Sequence, residues 1–330
     1  MPFFSNKYKL GLDIGSTFIK VCLPRRGGKP LVARMLSPEG AVTKGVLQTP
    51  EVVCDALKML VKQQKLQNNQ VVATLPASTL VLRHIQVPIM KPKETADAVE
   101  WEARRVLPFA VEEAQMDWVQ QGTKVTEEGE MQDILLVAVR DSTIERYTDA
   151  VRESGLRLVA LDVAPMALGR WLLKDSNEST VIIDLGAETT QLHFFESTKL
   201  VFSRSLSIGG LQATKAIQAA TERSFEEAEI MKLRGEYSEE WLESWHSELA
   251  RELQRSLEYY RSNYQQEGDQ NFDQVLLTGG ASSTRGVEAL IGDVVGVQAR
   301  YAEFASKLRT PRSDKIMYNV ALGAGLWEGK

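Results

Sequence analysis

The chain has 330 residues, of which 43% are hydrophobic and 25% are charged, and its formal net charge is −5. This composition is ordinary for a globular protein, and the length suffices for one large domain or two medium ones. The basic residues are scattered, so no positive surface is expected for a nucleic-acid backbone. The sequence therefore argues against nucleic acid as a partner.

Cysteine usage and hydropathy exclude several other classes. The two cysteines, Cys22 and Cys54, show no CxxC or Cys/His spacing, so neither a disulfide framework nor a zinc site is expected. The first residues lack the basic start and apolar run of a secretory signal. No apolar run reaches the roughly eighteen residues that a membrane span needs. We therefore expect a cytoplasmic protein without a direct membrane span.

The first structured segment is predicted to be a hairpin. Residues 9–24 alternate apolar and small side chains around the segment from Gly11 to Thr17, which predicts a strand, a tight turn and a second strand. The same pattern returns about 170 residues later, at 179–192, again as an apolar strand, an Asp, a Gly and hydroxyl residues. This internal repeat predicts two related cores.

Each hairpin places an aspartate, Asp13 or Asp184, before a glycine with Ser or Thr close behind. Glycines let backbone amides approach phosphate oxygens, and carboxylates hold Mg²⁺ through its water shell. The pattern is typical of a site for a metal-chelated polyphosphate. Taken singly, each hairpin is equally consistent with an ordinary turn, since Asp and Gly are common there.

Between the hairpins, residues 76–163 are predicted to form an inserted α+β subdomain. Apolar runs, helical spacing and punctuating prolines alternate in the order strand, helix, strand, helix, strand. Further on, the segment 276–283, LLTGGASS, places a glycine pair between a strand and a predicted helix, where backbone could lie flat against a purine or ribose. Alone, this third element is a weak signal.

Together the three segments resemble a known superfamily. GLDIGSTFIK, IDLGAETTQL and LLTGGASS are similar, in that order, to the two phosphate motifs and the adenosine motif of the actin, sugar kinase and heat-shock chaperone ATPases. Other segments, among them ATLPAST at 73–79, AVEWEA at 98–103 and FEEAEIMK at 225–232, resemble those of the type IV pilus assembly PilM family, which is close to the division protein FtsA. The resemblance implies an α/β, actin-like ATPase fold with two RNase H-like domains around a nucleotide cleft. It also implies that this cleft binds ATP and Mg²⁺.

The resemblance implies boundaries as well. The first half would comprise residues 1–75, completed by about 164–178 and 310–330, and the second half 179–309, with a helical nucleoside-contacting part at about 211–273. The metal would be held by Asp13 and Asp184, through water. The implied phosphate-binding residues are Gly15, Ser16, Thr17, Lys20, Gly186, Ala187, Thr189 and Thr190. The implied nucleoside-binding residues are Gly209, Gly210, Glu229, Lys232, Gly279, Gly280, Ala281 and Ser282.

No catalytic residue is assigned, and weak or slow ATP hydrolysis is the most that we expect. Glu188 departs from the expected pattern, because its carboxylate would add negative charge beside phosphate unless it turns away. On spacing alone, Glu229 and Lys232 would be a solvated helix pair. The nucleoside assignment of these two residues therefore rests on the resemblance.

The PilM resemblance further implies a partner. This would be the N-terminal cytoplasmic tail of a PilN-like inner-membrane protein, bound beside the inserted subdomain, so the chain would lie at the membrane through that protein. Contacts with further pilus components and self-association are left open. The alternatives are a small-molecule kinase of the same superfamily, which needs an acidic base that the sequence does not offer, and a filament-forming actin homologue.

Overall fold

The computed structural model of the chain describes residues 8–26, 28–126, 129–264, 272–302 and 312–329. These residues form two five-stranded sheets, a separate three-stranded sheet, a two-stranded hairpin and ten α-helices. Parts of two predicted segments, 265–271 and 303–311, lie outside the described residues.

The first five-stranded sheet carries the first predicted hairpin at its centre. Its strands, in spatial order, are β3 (Leu31–Leu36), β2 (Phe18–Leu23), β1 (Leu10–Ile14), β6 (Gln70–Leu75) and β10 (Arg157–Val163). Strands β1, β2 and β3 are antiparallel, whereas β6 and β10 continue the sheet in parallel. One face is covered by helices α1 (Pro50–Gln63) and α3 (Asp141–Glu153).

The second five-stranded sheet repeats this strand order. Its strands are β13 (Lys199–Leu206), β12 (Thr190–Glu196), β11 (Ser179–Leu185), β14 (Gln274–Thr278) and β15 (Ala299–Tyr301). The outer face packs on helices α5 (Gly210–Thr221), α6 (Phe225–Arg234), α7 (Glu243–Asn263) and α8 (Val287–Val295). The repeat that the two Asp-containing hairpins predict is therefore present as two sheets of one topology.

Two helices lie between the sheets and join the halves. They are α4 (Ala164–Leu172) and α10 (Asn319–Gly325), which follows the short helix α9 (Arg312–Ile316). At Gly323 an added Cβ would lie 1.9 Å from the carbonyl oxygen of Ala167. Only glycine permits this close crossing of the helices, which sets how the two sheets face each other.

The unit built on the third sheet covers fewer residues than the predicted inserted segment, 76–163. Its strands are β7 (Val81–Pro88), β9 (Gly129–Arg140) and β8 (Ala114–Thr126), and helix α2 (Pro92–Val106) packs on it. The prediction assigned all of 76–163 to this unit. The structure instead places α3 and β10 in the first half, because Tyr147 and Val151 of α3 are buried in its core and β10 pairs with β6.

A short hairpin, which we call the strap, leaves the first sheet after β3. It consists of β4 (Val42–Thr43) and β5 (Val46–Leu47), paired antiparallel. Buried Val42 and Leu47 anchor it in the first core. The turn between its strands is therefore held on the side of the first half that faces the cleft.

Candidate functional site

The two repeated hairpins meet at a cleft between the halves. In the first hairpin the backbone N–H of Gly15 donates to the carbonyl of Phe18 at 3.1 Å, and in the second that of Gly186 donates to the carbonyl of Thr189 at 3.0 Å. The two turns thus close with the same hydrogen bond. Residues of both turns line the same cleft.

Asp13 and Lys20 form an ion pair on the floor of this cleft. Antiparallel pairing of β1 and β2 puts them directly opposite each other, and Asp13 Oδ2 lies 2.5 Å from Lys20 Nζ. Each side chain is 18% exposed. Both side chains line the cleft, so a charged ligand that enters it can contact them.

Asp184 lies on the opposite wall. Burial raises its pKa from 3.8 to about 6; Lys20 opposes the rise and Asp13 adds to it. A carboxylate in such surroundings costs free energy unless a cation compensates it. The site therefore favours a positive charge between the two hairpins.

Gly279 is required for the approach of the third segment to Asp184. Its φ is +84°, and an added Cβ would lie 2.4 Å from both Asp184 Oδ1 and the carbonyl oxygen of Leu185. The turn after β14 therefore passes against the second hairpin without any side chain between them. Gly280 and Ala281, which follow, line the cleft.

The helical side of the cleft contains a buried polar network around Lys232. Its ammonium donates to the carbonyl of Gly210 at 3.0 Å, to Thr214 Oγ1 at 2.7 Å and to Glu229 Oε2 at 2.6 Å. The Thr214 hydroxyl also donates to Glu229. Burial lowers the pKa of Lys232, and the adjacent Glu229 opposes this. The network fixes α6 against the start of α5, where both meet the cleft.

Glu188 does not turn toward solvent. Its Oε2 accepts a hydrogen bond from Ser16 Oγ at 2.6 Å and another from the backbone N–H of Lys44 at 2.5 Å. Lys44 is in the turn of the strap, so the carboxylate of the second half is held by two donors of the first half. This contact bridges the mouth of the cleft.

Most of the predicted site residues lie at the cleft, and four lie behind it. Those lining it are Asp13, Gly15, Ser16, Thr17, Lys20, Asp184, Gly186, Ala187, Thr189, Glu229, Lys232, Gly279, Gly280 and Ala281. Thr190, Gly209, Gly210 and Ser282 support the lining instead. The hydroxyl of Thr190 donates to the carbonyl of Ile208 at 2.7 Å, and that of Ser282 donates to the carbonyl of Thr278.

The two remaining glycines shape the second hairpin. The N–H of Gly210 donates to the carbonyl of Gly186 at 2.9 Å. The carbonyl of Gly209 accepts from the indole N–H of Trp245 at 3.0 Å. Buried Trp245 of α7 thus holds the start of α5 in place.

Sequence reasoning missed the apolar part of the lining, to which Phe18, Leu233, Met317 and Val320 contribute. Arg34 connects two of these residues, since its guanidinium lies 4.7 Å from the centre of the Phe18 ring and 3.0 Å from Met317 Sδ. No local pattern predicts these contacts. Thr74, another lining residue, was detectable in principle, because it lies opposite Asp13, one residue before the end of the parallel strand β6.

The side chains available at the cleft limit how it could hold a metal. Within the described residues, no group of three or more His, Cys, Asp or Glu side chains could bind a metal by itself. A metal at Asp13 and Asp184 would therefore take further ligands from water or from a bound molecule.

No helix among the described residues is long and apolar enough to cross a membrane.

Two matching sheets around a cleft, joined by central helices, define an actin-like ATPase fold, and comparison with known proteins agrees. Residues 11–320 match the family model described as type IV pilus assembly protein PilM. The chain belongs to this family. A solved structure described as the PilM-PilN type IV pilus biogenesis complex is 28% identical, has a TM-score of 0.81, and the match covers 97% of this chain and 98% of that one.

More distant relatives share the fold. The cell division protein FtsA of Enterococcus faecalis is 24% identical in an alignment 250 positions long, which covers 68% of this chain and 57% of the FtsA chain. The structure of MreB5 of Spiroplasma citri bound to ADP has a TM-score of 0.57 at 14% identity, with 95% of this chain and 94% of that chain covered. The predicted actin-like fold and PilM membership are confirmed.

Proposed function

We propose that the chain is a nucleotide-binding assembly protein of a type IV pilus inner-membrane complex. It binds ATP with Mg²⁺ in the cleft and captures the cytoplasmic tail of a PilN-like membrane protein. Contact with this partner would keep the chain at the cytoplasmic face of the membrane. The observation that carries the proposal is the match to the PilM-PilN complex along nearly the whole of both chains.

The nucleotide part rests on the fit of the cleft residues to a chelated triphosphate. Asp13 and Asp184 would hold Mg²⁺ through its water shell, since among the described residues no group of three or more His, Cys, Asp or Glu side chains could hold the ion directly. The cation would neutralise phosphate charge and relieve the buried charge of Asp184. Gly15 and Gly186 would bring backbone N–H groups to the phosphates, and Ser16, Thr17 and Thr189 would add hydroxyl donors.

The base and ribose would lie on the helical side. Glu229 is 20% exposed and offers the ribose a carboxylate, whereas the Lys232 ammonium is already satisfied by protein acceptors. Lys232 would thus act chiefly by orienting Glu229. Gly280 and Ala281 would lie against the base, together with Leu233.

The proposed binding surface for the partner lies on the three-stranded unit β7-β9-β8 with α2. It carries exposed apolar side chains, with Trp101 59% exposed on α2 and Ile89 54% exposed directly after β7. Exposed aromatic and aliphatic groups are common anchors at protein interfaces. We infer that the tail binds beside this unit. Further pilus components or a second copy of the chain would use other surfaces.

A fluorescently labelled N-terminal peptide of a PilN-like protein from the same organism tests the proposal by anisotropy. Saturable binding to the purified chain is expected, with no binding of a scrambled peptide of equal composition. Trp101→Ala is expected to weaken binding, and Val159→Ala, a change at an exposed apolar residue of the first sheet, is the matched control. Absence of binding, combined with ATP turnover stimulated by a small hydroxyl compound, would favour a kinase instead.

A further inference from the structure

The strap is fixed firmly to the first half. Its Gly45 has a φ of +80°, and an added Cβ would lie 2.2 Å from Pro76 Cγ. The carbonyl of Gly45 accepts from the fully buried Tyr147 hydroxyl at 2.8 Å, and that of Lys44 accepts from Ser78 Oγ at 2.7 Å. The strap therefore moves with the first half as one body.

Lys44 makes polar contacts between the strap and the second half. The backbone N–H of Lys44 donates to Glu188 at 2.5 Å, and its ammonium donates to Ser207 Oγ at 3.1 Å. Lys44 is exposed. Exposed polar contacts contribute little to stability, so a competing ligand can replace them at small cost.

Of the two donors on Glu188, Ser16 lines the candidate phosphate site, and Lys44 directly precedes Gly45, which also lines it. Ser16 is in the turn of the first hairpin, and its hydroxyl and the Lys44 N–H converge on a single carboxylate oxygen of Glu188. A carboxylate oxygen and a phosphate oxygen are anionic acceptors of the same kind. Two such anions cannot share these donors, since like charges at short distance repel strongly in a partly enclosed site.

We propose that Glu188 competes with the terminal phosphate of a nucleoside triphosphate for the Ser16 hydroxyl and the Lys44 N–H. The inference rests on the proposed nucleotide binding at this cleft. A triphosphate displaces Glu188 and releases the strap from the second half, whereas a diphosphate, which lacks the terminal group, leaves the contact in place. Glu188 would then make the angle between the halves depend on the terminal phosphate.

Glu188→Gln tests the competition, because it removes the charge and keeps the size of the side chain. We expect calorimetry to give about tenfold tighter Mg-ATP binding than in the unmodified chain, with less than about a twofold change for Mg-ADP. Glu196→Gln is the matched control, since Glu196 is an exposed glutamate at the end of β12. Equal ATP affinities in Glu188→Gln and the unmodified chain would overturn the inference and leave the proposed function intact.

A distance measurement tests the release. Val46 of the strap and Lys215 of α5 are exposed, so cysteines at these positions accept spin labels, whereas the native Cys22 and Cys54 are buried. Mg-ATP is expected to lengthen the distance between the labels and Mg-ADP to leave it unchanged. Identical distances with both nucleotides, where both bind, would contradict the release. Binding of neither nucleotide to any variant would overturn the proposed nucleotide site itself.

Discussion

Asp13 and Asp184 occupy the same register position in two separate sheets. Asp13 lies opposite Thr74 of its parallel neighbour β6. Asp184 lies opposite Thr278 of its parallel neighbour β14 in the same way. Because the two sheets share one strand order, the two carboxylates reach the cleft from its two sides. This symmetric arrangement would allow one cation to bind between the two carboxylates.

Asp184→Asn is expected to stabilise the unliganded fold near neutral pH. The folded state raises the pKa of Asp184 above its ordinary value of 3.8, so the folded chain binds this proton more tightly than the unfolded chain. The free energy of unfolding therefore falls as pH rises from about 4 through about 6, and the full penalty is present above that window. Asparagine removes this penalty.

The size of the effect follows from the pKa. A rise in pKa from 3.8 to about 6 corresponds to about 3 kcal/mol for a fully enclosed group. Because Asp184 is partly exposed to the cleft, the expected gain in free energy of unfolding is only about 1–2 kcal/mol. Urea unfolding at pH 7.5 should show this gain, and at pH 4 the difference should nearly vanish. Asp149→Asn, on the exposed face of α3, is the control. A variant less stable than the unmodified chain at pH 7.5 would refute this reasoning.

Gly279→Ala is expected to cost about 3 kcal/mol in free energy of unfolding, from a strained positive φ together with steric overlap. Gly296→Ala offers a matched comparison, since its φ is +82° and an added Cβ has no atom within 4 Å. That change should cost only about 1 kcal/mol. Equal shifts of the denaturant midpoint in the two variants would show that steric overlap with Asp184 does not add to the cost of Gly279→Ala.

Lys232→Met should destabilise the helical side of the cleft by about 2–4 kcal/mol, because Glu229 and the Gly210 carbonyl lose a buried donor. Methionine retains most of the apolar stem, so the loss isolates the ammonium. Lys215→Met removes an exposed charge from α5 and should change stability by less than about 0.5 kcal/mol. Chemical unfolding of both variants measures the difference, and a near-zero effect for Lys232→Met would argue that the network is dispensable.

The parts of the structure that the sequence predicted are those specified locally. The hairpins around Asp13 and Asp184 are visible as apolar strands followed by a glycine turn, because strand periodicity and turn chemistry act over a few residues. The Gly279 turn was predicted on the same basis. The repetition of one pattern also predicted that the two halves share an architecture, which the two sheets confirm.

The features that escaped prediction depend on contacts between distant residues. Strand β10 joins the first sheet by parallel pairing with β6, across the whole inserted unit, and no local signal distinguishes it from a strand of that unit. The bond from the Lys44 N–H to Glu188 joins residues 144 positions apart. The local sequence pattern predicts whether a segment is a helix or a strand. The long-range pairings depend instead on how distant parts of the chain pack together.

Titration calorimetry of Mg-ATP tests the central claim, that both hairpins hold one nucleotide, most directly. It compares the unmodified chain with Asp13→Ala, Asp184→Ala and, as control, Asp149→Ala. One site per chain is expected, with affinity reduced at least about tenfold in both cleft variants and unchanged in the control. Loss of affinity in only one cleft variant, or no binding to the unmodified chain, would contradict a nucleotide site shared between the two halves.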